Sequence, residues 1–69
     1  MKAKATVSKH EHGTYGIDRG GAILYESSPE LGGFNLEVAR RIVQLENSDN
    51  PPIDWEETEL ILRDEGYNL

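Results

Sequence analysis

Three observations predict an α+β fold, a three-stranded antiparallel meander followed by two α-helices (βββαα). The amino end alternates apolar and polar residues with period two. Glycine-bearing stretches interrupt the first third of the chain. Beyond them, two segments of helical spacing each begin at a side chain suited to capping. With 69 residues, the chain is expected to form one small domain spanning 1–69.

Ala3-Lys-Ala-Thr-Val-Ser-Lys9 reads as the first strand, with small or apolar residues on one face. His10-Glu-His-Gly13 is a polar stretch ending in glycine, after which Thr14-Tyr-Gly-Ile-Asp18 can return as a second strand. Arg19-Gly-Gly21 supplies the next turn, and Ala22-Ile-Leu-Tyr-Glu26 is the clearest strand of the chain. Tyr15 and Tyr25 fall on neighbouring strands, where cross-strand or core packing is the expectation.

Ser27-Ser-Pro-Glu-Leu-Gly-Gly33 breaks the pattern and reads as a loop, since Pro29 restricts Ser28 and the paired glycines permit a reversal. Asn35 then stands as an N-cap, and Leu36, Ala39, Ile42 and Val43 follow at helical spacing to about Asn47. This helix should lay that stripe on the sheet and leave Glu37, Arg40, Arg41 and Gln44 toward water. The consecutive prolines of Asn47-Ser-Asp-Asn-Pro-Pro52 exclude helix there.

Asp54 is the second N-cap, with Glu57 three residues on in the manner of a capping box and Gly66 placed as a C′ residue. The last helix is expected over 54–65, with Ile53 packing on Thr58 as a weak hydrophobic staple. At about 100° per residue, Trp55 and Leu62 share a face that Leu60 and Ile61 do not. Either the helix is covered on more than one side, or Leu60 or Ile61 stands among carboxylates. The covered helix is the expectation, with Trp55 in the core. Tyr67 is either a lid on the helix end or a contact residue.

Composition narrows the function. There is no cysteine, so neither a disulfide nor a thiolate metal site supports a core that buries only roughly 60% of the unfolded surface. No apolar run nears the roughly 20 residues of a membrane span, and residues 1–7 lack a signal-peptide core, so a soluble, cytoplasmic protein is expected. The net charge of −6 argues against direct binding to nucleic acid or anionic lipid.

That charge is unevenly placed. Residues 1–45 carry six bases against five acids, a balance of +1, whereas residues 46–69 carry eight acids against Arg63 alone, a balance of −7. A twelve-residue helix of roughly 18 Å holding Asp54, Glu56, Glu57, Glu59, Asp64 and Glu65 has about one carboxylate per 3 Å of axis. One DNA strand carries one phosphate per roughly 3.4 Å. Asp54, Glu56 and Glu57 complement the positive end of the helix dipole, and Glu59 stands four residues before Arg63. Asp64 and Glu65 lie at the negative end, where anions cost stability. Their placement points to acidity that is used.

Catalytic constellations are not recognisable. His10 and His12 could share a metal only with a third ligand, and none stands at a telling spacing. The serines lie in no nucleophile elbow, and neither Asp18-Arg-Gly-Gly21 nor Leu31-Gly-Gly33 has phosphate-loop spacing. Paired carboxylates would need a pocket that so small a domain seldom has. No enzyme activity, metal or cofactor is expected.

In its short length, lack of cysteine and clustered acids of residues 46–65, the chain resembles the small acidic inhibitors of phages and mobile elements, among them anti-CRISPR proteins that imitate DNA. The resemblance is one of type. It implies a monomer, in the host cytoplasm if phage-encoded, that blocks DNA access at a basic site of a CRISPR effector subunit or another DNA-binding protein. Its contact residues would be Asp49, Asp54, Glu56, Glu57, Glu59, Asp64 and Glu65. The alternative is a non-inhibitory interaction module or antitoxin-like partner that uses an apolar contact, Leu60 or Ile61, on the last helix.

Overall fold

A two-glycine turn sets the sheet. Gly20 and Gly21 have φ of 61° and 84°, the paired positive values of a tight hairpin whose twist matches its strands. In the computed structural model, which describes residues 3–9, 14–26 and 34–67, this turn joins β2 (Tyr15–Arg19) to β3 (Ala22–Glu26). β1 (Ala5–Lys9) pairs antiparallel with the other side of β2, giving the order β1-β2-β3. The helices α1 (Leu36–Glu46) and α2 (Trp55–Asp64) follow, so the βββαα order is as the sequence predicts. The expected loops at 10–13 and 27–33, with His10 and His12, lie outside the described residues.

Register assigns the faces. Val7 stands opposite Ile17, and Ile17 opposite Tyr25, so these side chains share the core face. A bulge then intervenes, because Asp18 pairs with Ile23 and leaves Leu24 unmatched. This extra residue puts Ile23 on the outer face, where it is exposed, although Tyr25 two residues later points inward. Tyr15 and Tyr25 do not pair with each other: Tyr15 faces Lys9 and bridges to Phe34.

Both sheet edges are blunted. The bulge bends β3, and the Asn47 side chain closes β1 by accepting from the Ala5 amide at 2.8 Å and donating to the Ala5 carbonyl at 3.0 Å. An asparagine amide thus acts as one residue of an additional strand.

Helix α1 starts where Asn35 Oδ1 accepts from the Val38 amide at 2.8 Å. Its buried face comprises Val38, Ala39, Ile42 and Glu46, with Leu36 and Val43 only half-buried. The expected stripe is therefore rotated toward Val38. The last turn contains no base, and Arg19 from β2 supplies one, donating from Nη2 to the Glu46 carbonyl at 3.1 Å.

Ala5, Ile17, Phe34, Val38, Ala39, Ile42 and Leu62 form the core, between the sheet and the helices. Trp55 seals it from α2, its ring centroid 5.2 Å from Tyr25 and 5.4 Å from Phe34. The Tyr25 hydroxyl lies near the Thr58 hydroxyl and the Glu46 carboxylate. Burial pushes the Tyr25 phenol above its usual range. The Thr58 hydrogen bond opposes this, and the Glu46 and Asp54 charges add to it.

Candidate acidic surface on the last helix

Asp54 fixes where α2 begins. Its Oδ1 accepts from the Glu57 amide at 3.0 Å, and its carbonyl accepts from the Thr58 hydroxyl at 3.0 Å. The capping box closes one residue early, since Glu57 Oε2 accepts from the Ile53 amide at 3.4 Å. The expected staple does not form: Thr58 is fully buried, and Ile53 is 88% exposed. Ile53 instead projects into solvent beside the first turn.

The other end is a Schellman turn. The Gly66 amide donates to the Arg63 carbonyl and the Tyr67 amide to the Leu62 carbonyl, both at 3.0 Å, with Gly66 at φ 98°. Tyr67 then packs on the core cluster that contains Leu62, which makes it the lid. The helix proper runs over 55–64, and the expected limits, Asp54 and Glu65, are its two caps.

Thr58 and Leu62 are the fully buried side chains of α2. Leu60, midway between them in sequence, therefore points about 180° away from their shared direction. It is 62% exposed, and Ile61 is half-buried. The expected all-round cover of this helix is absent. One layer on one side suffices for Leu62 and Thr58 but cannot reach a side chain on the opposite face.

The expected contact residues divide into three groups. Glu56, Glu57 and Asp64 are exposed and lie four before, three before and four after Leu60, so they share its outward face. Asp49 and Asp54 are exposed on the approach to the helix, Asp54 also serving as cap. Glu59 and Glu65 are engaged by arginines. Glu59 pairs with Arg63 at 2.5 Å, and Glu65 lies about 140° round the helix from Leu60, where α1 meets it.

Glu65 departs from its expected role as a free anion. Arg41 grips it through Nε to Oε1 at 2.8 Å and Nη2 to Oε2 at 2.6 Å, a bidentate pair between α1 and the C-cap of α2. The hydrogen bond from Arg41 holds the Glu65 carboxyl below its usual value, and the same contact raises Arg41. The cost of an acid at the negative end of a helix is offset by a guanidinium from another element. The sequence pattern predicts Arg41 toward water, and the structure turns it onto Glu65. The signal available in the sequence was its position four residues after Glu37, which places it on a polar face but names no partner.

Among the described residues, no partner engages Asp49, Glu56 or Asp64, and no group of three acids or histidines could hold a metal ion. Also among them, no helix is long and apolar enough to cross a membrane. What the surface can do chemically is present fixed negative charge around an apolar side chain. Comparison with protein-family models, with curated proteins and with solved structures returns no match, so the chemistry of this face carries the functional reading.

Proposed function

We propose that this chain is a small acidic inhibitor, anti-CRISPR-like, that binds the basic nucleic-acid-binding surface of a target protein and blocks DNA access by mimicking its charge. The observation that supports this is the sharing of one outward face of α2 by Glu56, Glu57 and Asp64, with Asp49 and Asp54 also exposed and Arg63 tied to Glu59. Opposite charge on a target cleft would raise the association rate and make the complex salt-sensitive. Glu59 and Glu65 contribute less, because each has an arginine beside it. The target is a CRISPR effector subunit or another DNA-binding protein, met by a monomer in the cytoplasm of the host cell. No catalysis, metal or cofactor enters this function. Charge reversal tests it: Glu56→Lys with Asp64→Lys removes inhibition and leaves the fold intact, because both side chains are exposed and unpaired among the described residues.

Exposure of Leu60 favours a second reading, an interaction module or antitoxin-like partner held mainly by an apolar contact. Under that reading Leu60→Ala weakens binding at all salt concentrations, whereas charge reversal changes it little.

A further inference from the structure

Ile23, Ile53 and Leu60 are the exposed large apolar side chains of the described residues, and of these Leu60 alone lies on a helix. Leu60 differs from an ordinary surface leucine in its surroundings. Its neighbours on the helix surface, at three and four residues in each direction, are Glu56, Glu57, Arg63 and Asp64. Arg63 is held by Glu59, so the ring around Leu60 is net negative. Binding surfaces commonly concentrate their energy in a central side chain that a polar rim shields from water.

We propose that Leu60 is the anchor of the acidic surface, and that the complementary site is an apolar notch flanked by lysine or arginine on a protein partner. The inference rests on the charge-mimic reading and adds to it the shape and chemistry of the target site. An uninterrupted phosphate-binding track offers no place for Leu60, whereas a groove with a hollow between its basic rows takes both the leucine and the carboxylates. A second copy of this chain is a poor occupant, because packing Leu60 against Leu60 would set Glu56, Glu57 and Asp64 against the same acids. Charge complementarity therefore selects a basic partner. Ile53 is 88% exposed before the helix, its amide hydrogen-bonded to Glu57.

The experiment uses the full chain and two synthetic helical peptides of equal positive charge, one with a leucine between its lysine and arginine rows and one with serine there. Each is titrated into isotopically labelled protein at low and at physiological salt. The leucine peptide is expected to bind roughly ten-fold or more tightly than the serine peptide, with shifts centred on the Leu60 methyls. Leu60→Ala should reduce it to the serine level. Leu60 is exposed, and alanine favours helix, so the variant should keep the parent circular dichroism. Equal, salt-sensitive binding of both peptides, unchanged by Leu60→Ala, overturns the anchor and leaves the charge reading standing. Binding of neither peptide, or binding indifferent to salt, overturns both. Concentration-dependent self-association that perturbs the Leu60 methyls would assign the face to a second copy and overturn the proposal.

Discussion

Arg41 and Glu65, 24 residues apart, form a bidentate ion pair of 2.8 and 2.6 Å that ties the middle of α1 to the end of α2. It anchors one expected contact residue to the body of the protein, whereas Glu56, Glu57 and Asp64 stay exposed on the face of Leu60.

The pair makes stability acid-sensitive in a defined direction. Arg41 depresses the Glu65 carboxyl in the folded state, so the stabilisation is present above the unfolded value near 4.5 and is lost as pH falls through the lower, folded value. Glu65→Gln should be less stable than the parent at pH 6 to about 7, and the two should converge once the pH is low enough to protonate the carboxyl in the folded state as well. Urea unfolding across pH reads this. The effect should be small, since the pair is partly exposed and screened.

Tyr25 should give the opposite profile. Its phenol is raised in the folded state by burial, so its contribution is complete below the unfolded value of 10.0 and is lost as pH rises through the folded value. Tyr25→Phe should diminish the alkaline loss of stability, measured as the urea midpoint between about pH 9 and 11.

Asn47 bears on both stability and solubility. Asn47→Ala removes two hydrogen bonds to Ala5 and opens the β1 edge. A loss of about 1–3 kcal/mol is expected, with sedimentation showing new self-association through the edge. Unchanged stability with a monomeric profile would mean that the amide does not protect the strand.

Leu60 and Leu62 should separate cleanly. Leu62 is fully buried, and truncation to alanine should cost about 2–5 kcal/mol. Leu60→Ala should change stability by less than about 0.5 kcal/mol. Thermal or urea unfolding of the two variants compares them directly.

Local chemistry carried most of the fold into the sequence. Asn35, Asp54 and Gly66 mark the helix ends because capping and positive φ depend on one residue each. Gly20-Gly21 marks the hairpin for the same reason. The bulge at Leu24, the Asn47 contact with Ala5 and the burial of Glu46 were not legible, because each depends on residues far away in the chain. Glu46 sits at a polar position of the sequence pattern, but its side chain lies near the Tyr25 hydroxyl and its carbonyl accepts from Arg19 Nη2. On α2, the acids were readable as a group, but their division between Arg41, Arg63 and open solvent was not. The helical spacing marks Leu60 or Ile61 as a side chain that one buried stripe cannot hide, yet the exposure of Leu60 follows only from the one-sided packing of Thr58 and Leu62.

The most direct test follows labelled DNA bound to purified CRISPR effector complexes as this protein is added, by fluorescence anisotropy, at salt concentrations from about 50 to 200 mM. The parent chain should release DNA from at least one effector, less so as salt rises, and the Glu56→Lys, Asp64→Lys double variant should release none. Equal release by both proteins would contradict the account, and no release from any effector at low salt would remove a CRISPR effector as the target.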